Sequence, residues 1–296
     1  MGTRHTMLRT ILQALVASMA LSWGHAAWSQ ANNGPGGGTS DANAGAGAPT
    51  YQPTVGQPGK DVVWVPTAQQ LVDRMLDMAK ATPADYVIDL GSGDGRTVIT
   101  AAQRGIRALG IEYDPNLVQL SKENAAKAGV ADKASFTKAD IFESDFSSAT
   151  VITLFLLPDL NLRLRPILLG MKPGTRVVSN TFTMGEWEAD ERTNVDNPEA
   201  CKYWCTAYLW IVPAKAEGRW NSPAGQIEIK QTFQKVEGNL QAEGRTIVIA
   251  DGRLRGDQIS FRAGGASYTG RVAGDRIEGT VTADGGSKPW VATKSP

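Results

Sequence analysis

The chain has 296 residues, with 30 Lys+Arg against 30 Asp+Glu, 42% apolar residues, 2 His and 2 Cys. That length is room for one large domain or two modest ones, and the even charge argues against a general nucleic-acid binder, which carries a basic excess. Both histidines, His5 and His25, fall in the first 25 residues, so a chain without that segment has no histidine-based triad and no histidine-ligated metal, and two cysteines do not make a four-thiolate zinc site. The chemistry is left to carboxylates, amides, hydroxyls, backbone or a cofactor.

Residues 1–40 hold no acidic residue. Arg4 and Arg9 lead into an uncharged apolar run over 11–23. That run is shorter than the roughly 20 residues a membrane helix needs, and it matches the apolar core of a secretory signal. Small residues from Ala26 to Ala31 offer cleavage sites. Residues 1–31 therefore read as a signal peptide for export to the periplasm or beyond. Mitochondrial targeting and a cytoplasmic chain that keeps this segment as a buried helix are the alternatives. Cleavage leaves a net charge of −2 and no expected transmembrane span. Residues 32–60 carry 8 Gly and 4 Pro and read as a disordered tether.

Residues 61–215 alternate helix and strand. Thr67-Ala-Gln-Gln70 has capping-box spacing, and Leu71, Val72, Met75, Leu76 and Ala79 follow at helical intervals until Pro83. A strand over 86–90 runs into Gly91-Ser92-Gly93-Asp94-Gly95. A helix over 96–104, a strand over 108–112 and a helix opened by Pro115 and closed by Gly129 come next. Strands over 134–139 and 151–155, a helix over 160–169 and a strand over 176–180 continue the alternation. A strand over 205–212 reads as antiparallel. This predicts an α/β fold with a doubly wound, largely parallel sheet.

From Gly218 the period becomes two. Ile227, Ile229 and Phe233 share a face, as do Ile259 with Phe261 and Ile277 with Val281. Gly252-Arg-Leu-Arg-Gly-Asp-Gln-Ile259 recurs as Gly270-Arg-Val-Ala-Gly-Asp-Arg-Ile277. The Gly-Asp pairs and Gly238-Asn239 read as two-residue hairpin turns. Residues 216–296 are thus a C-terminal antiparallel β-domain, a small open barrel or a curved sheet, that covers a sheet edge or shapes access. Its few aromatics (Trp220, Tyr268, Trp290) leave little basis for a carbohydrate or lipid site.

In doubly wound sheets ligands bind beyond the carboxyl ends of the strands. Three successive strand ends here present a glycine loop, Glu112 and Asp140. The glycines allow a tight turn and close backbone approach. Glu112 is placed to accept two ribose hydroxyls, and Asp140 to reach the far side of an adenine. A dinucleotide site wants G-x-G-x-x-G, but Arg96 stands where the third glycine belongs. Asp89 and Asp94 would oppose a pyrophosphate and suit a cationic sulfonium nucleotide. No Gly-Lys-Ser/Thr follows, which excludes a P-loop.

Asp89-Leu-Gly-Ser-Gly-Asp-Gly-Arg96, Gly110-Ile-Glu-Tyr-Asp114 and Ala139-Asp140 resemble the nucleotide-binding motifs of class I S-adenosylmethionine-dependent methyltransferases. Val65-Pro66-Thr67 and Leu154-Phe-Leu-Leu-Pro158 resemble one branch of them. That branch holds the mitochondrial lysine methyltransferases of the adenine nucleotide carrier and the ATP synthase c-subunit, with bacterial relatives. The resemblance runs from about residue 62 to 212. It implies a Rossmann-like methyltransferase sheet, S-adenosyl-L-methionine as cofactor, and methyl transfer to a protein lysine amine, with no nucleic-acid partner. It implies that Thr67, Asp89, Gly91, Ser92, Gly93, Gly95, Glu112, Asp140 and Ile141 hold the cofactor, with Pro66-Thr67 over the site.

Such transfer is mainly alignment and exclusion of water, so it needs no histidine, and no metal or catalytic side chain is singled out. Many amine methyltransferases carry Asn/Asp-Pro-Pro-aromatic after the fourth strand; Leu156-Leu157-Pro158-Asp159 departs from that. Asp159, Asn161, Asn180 and Glu186 are polar candidates near the acceptor, with surface hydrogen bonding as the plainer reading. Trp187 fits a channel wall or the core equally. Arg163 and Arg165 read as solvated. The alternative function is a non-catalytic nucleotide-binding module with an envelope role, because export removes the chain from where its cofactor is made. Cys201 and Cys205 would sit about 5–6 Å apart on a helix, too far for an unstrained bridge, but a disulfide is feasible in a loop.

Overall fold

The structure is a computed structural model that describes residues 51–295. The expected signal peptide over 1–31 and the first part of the tether lie outside the described residues. The N-terminal unit comprises α1 (Gln69–Met78), β1 (Tyr86–Leu90), α2 (Arg96–Gln103), β2 (Arg107–Glu112), α3 (Pro115–Lys127), β3 (Ala134–Lys138), β4 (Val151–Leu154), α4 (Pro158–Leu169), β5 (Arg176–Asn180), β6 (Glu191–Asn194) and β7 (Thr206–Ile211). Its sheet runs β3-β2-β1-β4-β5-β7-β6. The first five strands in that order are parallel, and β7 is antiparallel to both β5 and β6. This is the doubly wound sheet expected from the alternation, with its order reversing at β1 and β4.

The two central strands read as almost unbroken apolar runs because helices cover both faces. Successive residues point to opposite sides. Val87, Val178 and Leu209 join a core with α1 and α2, while Ile88, Val177 and Trp210 join a second core with α4. The polar exceptions in these strands, Asp89 and Thr153, satisfy each other through a 2.6 Å hydrogen bond from the Thr153 hydroxyl.

Three local expectations need correction. The Thr67 hydroxyl does not cap α1. The helix begins after Ala68 with no side-chain cap, and Thr67 Oγ1 accepts from Asn180 Nδ2 at 3.2 Å. The same helix stops at Met78, and Lys80 at φ 50° turns the chain before Pro83 is reached. β6 was not foreseen, because a four-residue polar edge strand has no apolar alternation to announce it.

The C-terminal unit contains β8 (Gly218–Ser222), β9 (Gly225–Thr232), β10 (Lys235–Ala242), β11 (Arg245–Val248), β12 (Ala250–Arg255), β13 (Gln258–Ala263), β14 (Ala266–Ala273), β15 (Arg276–Ala283) and β16 (Gly286–Lys294). Consecutive antiparallel pairing carries the sheet from β12 to β16, then to β8 and β9, and β9–β10 pairing closes it. The barrel is therefore closed, not open, with eight strands in the ring and β11 as a spur on β10. The repeat noted in the sequence maps onto the β12–β13 and β14–β15 hairpins, whose two-residue turns are Gly256-Asp257 and Gly274-Asp275. Gly238-Asn239 is not a turn. It lies within β10, where a Cβ on Gly238 would fall 1.8 Å from the Glu228 carbonyl oxygen of β9. The sparse aromatics fill the interior: Phe261 stacks on Tyr268 at 4.7 Å, and Trp290 meets both edge-on at 5.9 and 5.3 Å.

The barrel docks on the segment 187–191. Trp187 is fully buried and stacks on Phe233 at 6.2 Å. Gln234 Nε2 donates to the Glu188 carbonyl at 2.8 Å. Lys235–Glu188, Arg253–Asp190 and Arg255–Glu191 form ion pairs at 2.7, 2.6 and 2.5 Å. Gly256 packs against Gly174, just before β5. That is the opposite end of the parallel strands from the glycine loop. The barrel thus covers the foot of the sheet and does not shape access to the cleft, and Trp187 belongs to this seam and not to a channel.

Candidate active site

The loop after β1 is built on three left-handed glycines, Gly91, Gly93 and Gly95, at φ 80, 56 and 84°. Glycine pays no Cβ penalty there. The loop is tied to β2 and α3. Gly91 and Ser92 N–H groups donate to the Ile111 carbonyl at 2.9 and 3.1 Å, Ser121 Oγ donates to the Gly93 carbonyl at 2.9 Å, and Asn124 Nδ2 donates to the Asp94 carbonyl at 3.0 Å. A Cβ on Gly95 would sit 2.8 Å from the Phe136 ring and 2.9 Å from Ser121 Cβ. Gly95 therefore serves packing behind the loop and does not line the cleft.

Arg96, where a dinucleotide fold needs glycine, turns back over the loop. Its Nε and Nη2 donate to the Asp94 carboxylate at 2.9 and 2.5 Å, and Nη1 donates to the Thr67 carbonyl at 2.7 Å. One side chain thereby joins the glycine loop to Thr67, which Asn180 holds from the other side. Glu112 accepts from Gly93 N–H at 2.9 Å on one oxygen, and from the N–H groups of Tyr113 and Asp114 at 2.8 and 2.9 Å on the other. Burial raises its pKa, and these donors oppose the rise. Burial also pushes the Asp89 carboxyl up to about 7, against the hydrogen bond from Thr153 and helped by the Glu112 charge.

The segment 51–66, read as tether as far as Lys60, is a structured strap over this cleft. Gly56 N–H donates to the Trp64 carbonyl and Trp64 N–H to the Gln57 carbonyl, both at 2.9 Å. Lys60 pairs with the Asp140 carboxylate and lies 4.7 Å above the Tyr113 ring centroid. The pair holds Asp140 below the usual carboxylate range and lifts Lys60. Trp64 Nε1 would lie 2.8 Å from a Cβ on Gly93, so strap and loop touch only because that residue is glycine.

One cleft gathers Thr67, Asp89, Gly91, Ser92, Gly93, Glu112, Asp140 and Ile141, with Pro66 beside them. Phe155, Phe182 and Trp204 line its other end. Asp159 and Glu186 do not line it. Asn161 is buried and donates to the Phe182 and Thr183 carbonyls at 3.2 and 3.3 Å, so Asn161 and Asn180 position backbone and hydroxyl groups there. Neither arginine of α4 is simply solvated: Arg163 stacks on Phe142 at 3.7 Å, and Arg165 donates to the Met184 carbonyl at 3.0 Å. Cys201 and Cys205 are disulfide-bonded in the loop before β7, with Trp204 between them.

Lys60, Trp64, Phe155, Phe182 and Trp204 were missed as cleft residues. Trp64 beside Val65-Pro66, and a tryptophan inside a cysteine pair, were the available signals.

Among the described residues, six carboxylates (Asp61, Asp89, Asp94, Glu112, Asp114, Asp140) line the cleft against Lys60 and Arg96. That donor set fits a nucleoside bearing a cationic centre and opposes a pyrophosphate. Glu112 uses three of its roughly four acceptor positions, which leaves one for a hydroxyl.

The family model described as the ANTKMT methyltransferase domain matches residues 89–191. A protein-lysine N-methyltransferase of Saccharolobus islandicus (strain REY15A) is 41% identical over 154 residues, which cover 51% of this chain and 94% of that protein. An adenine nucleotide translocase lysine N-methyltransferase of Mus musculus is 33% identical over 129 residues, 43% of this chain and 56% of that protein, so the chain spans little more than half of its length. A solved structure described as an RNA methyltransferase from Salinibacter ruber in complex with S-adenosyl-L-homocysteine is 47% identical over 51% of this chain and 95% of that one, at a TM-score of 0.48. The glycine loop and its acidic partners agree with the Saccharolobus islandicus relative, which the chain covers over 94% of its length, and the chain belongs to the S-adenosylmethionine-dependent methyltransferases.

Proposed function

We propose that this methyltransferase modifies the side-chain amine of a protein lysine. The observation that carries the reading is the charge of the cleft: among the described residues six carboxylates face two cations, and both cations are already engaged by Asp94 and Asp140. Such a cleft attracts a cationic side chain and repels a polyanion. The lysine methyltransferases among the relatives support the same choice of acceptor.

S-adenosylmethionine supplies a methyl group on a sulfonium. The chain's own residues bind and align. The Gly91–Gly93 backbone and Glu112 are placed for the sugar and Asp140 for the base, while Asp89 offers negative charge below the loop. The strap and the Thr67–Arg96–Asp94 link cover the nucleoside end and hold the cofactor in place, and alignment of its methyl group with the amine supplies much of the rate. An attacking amine must be neutral, and its proton passes to solvent. The apolar side chains of Leu156 and Leu157 favour that neutral form through desolvation.

The test is transfer of labelled methyl from S-adenosylmethionine to envelope and cytoplasmic protein fractions, followed by acid hydrolysis. Label in methylated lysine is expected. Label confined to nucleic acid, lipid or other amino acids overturns the reading. We also read residues 1–31 as an export signal. The Cys201–Cys205 bridge supports this, because disulfides persist in oxidising compartments. Fractionation of cells making the tagged full chain tests it, and a purely cytoplasmic pool refutes it.

A further inference from the structure

At the acceptor end of the cleft three rings from three separate segments meet. Phe155 follows β4, Phe182 follows β5, and Trp204 lies in the disulfide loop that leads into β7. Phe155 lies 6.2 Å from Phe182 and 6.1 Å from Trp204, centroid to centroid. All three line the cleft, and none is fully buried. They form a continuous wall.

Two of the three are presented by backbone in the left-handed region. Thr181, next to Phe182, has φ 62°, and Trp204 itself has φ 55°. For a bulky residue this is a true outlier. Such conformations persist where the surroundings over-determine them, and they cluster at ligand sites. Those surroundings are present. Thr181 N–H donates to the Thr206 carbonyl at 2.7 Å and its hydroxyl to Asn180 Oδ1 at 2.9 Å. Asn161 holds the Phe182 carbonyl, and the disulfide closes the loop on both sides of Trp204.

We propose that Phe155, Phe182 and Trp204 form the acceptor port and take the cationic head of the incoming side chain on their ring faces. The proposal rests on the lysine reading above and adds the groups that recognise the amine. During transfer the amine, having given one proton to water, forms an N–C bond as the C–S bond breaks. The bonding pair goes to sulfur, and positive charge passes from sulfur to nitrogen. Ring faces beside the nitrogen stabilise that charge where it arrives, which favours the transition state over the neutral ground state. Three carboxylates that could compete for the role are committed at the nucleoside end: Asp94 to Arg96, Asp140 to Lys60, Glu112 to three N–H groups.

The test uses the full chain saturated with S-adenosylhomocysteine and two small probes in calorimetry. One is Nα-acetyl-Nε-trimethyl-lysine amide; the other is its neutral isostere with carbon in place of the ammonium nitrogen. A quaternary head removes proton loss and hydrogen bonding from the comparison. The cation should bind about fivefold or more tightly than the isostere, with its N-methyl proton resonances shifted upfield by the rings. Trp204→Leu should abolish both effects and Trp204→Phe should keep them, with S-adenosylhomocysteine affinity within about twofold throughout. Equal binding of the two probes, no binding of either, or a preference that survives Trp204→Leu overturns the proposal. Label on lysine without a probe preference sinks the port alone; a probe preference with label on another acceptor sinks the lysine reading alone.

Discussion

Asp89→Asn should make the ligand-free protein more stable at pH 8 and lose that advantage in acid. The carboxyl sits in the fold at about 7 against an ordinary value of 3.8, because it is buried beside Glu112 with the Thr153 hydroxyl as a compensating donor. A raised folded pKa means that the folded state binds the proton first. The group's contribution to stability is therefore fully present below about pH 4, declines as pH rises, and is gone above about pH 7. At about 1.4 kcal/mol per unit, the ceiling is roughly 4 kcal/mol, of which roughly 2–3 kcal/mol falls between pH 8 and pH 5. Asparagine keeps the oxygen that accepts from Thr153 and carries no charge at any of these pH values. Urea unfolding of the two proteins at pH 5, 6, 7 and 8 measures the difference. The variant's advantage should shrink by roughly 2–3 kcal/mol from pH 8 to pH 5, a comparison in which titration elsewhere largely cancels. A difference that is flat with pH refutes the raised pKa. A variant that is less stable at pH 8 refutes the burial cost. The same charge should favour a cationic nucleoside, so Asp89→Asn should also weaken S-adenosylmethionine at pH 8 by about tenfold, or about 1.4 kcal/mol.

Gly95→Ala combines a left-handed backbone with a Cβ pressed on Phe136 and Ser121. It should cost about 2–4 kcal/mol, seen as a lower unfolding midpoint in denaturant, and a loss under about 0.5 kcal/mol would show that the loop relaxes freely. Replacing both Cys201 and Cys205 by Ser should raise KM for the methyl acceptor while leaving S-adenosylmethionine affinity within about twofold, since the bridge flanks Trp204 and not the nucleoside end. An unchanged acceptor KM counts against that placement. Lys60→Ala removes the ion pair between an exposed lysine and Asp140, a pair that solvent largely screens. Global stability should hardly move, whereas amide exchange at Gly56 and Trp64 should quicken; unchanged exchange would mean that the strap is held by its own turn.

The glycine-loop end of the cleft was legible because it is local. Glycines, Glu112 and Asp140 sit at strand ends that periodicity alone locates, and the order of the sheet brings those ends together. The aromatic end was not. Phe155 looked like one more member of an apolar run, Phe182 followed a strand without any pattern, and Trp204 stood in a loop of no regular structure. Their meeting depends on β7, whose antiparallel sense was expected, pairing next to β5, a placement that no local spacing encodes. Trp187 was ambiguous for a related reason: its partner, Phe233, is 46 residues away in the other unit. Glycine and proline mark turns as well as disorder, so the strap over 51–66, a set of turns, shares the composition of a tether. Gly238 misled in the same way, as a glycine needed for close strand contact and not for reversal.

The ring of the C-terminal unit closes through a pairing between neighbours in sequence, β9 and β10, while its last strand, β16, bonds to β15 on one side and β8 on the other. β16 therefore behaves like a keystone. Without it the damage is not proportional to nine residues: two unpaired edges open at once, at β8 and β15, and with them the aromatic interior around Trp290. An open edge of this kind is a template for a neighbouring molecule. Loss of this one strand would thus offer two edges to neighbouring molecules, on the unit that lies away from the methyl-transfer cleft.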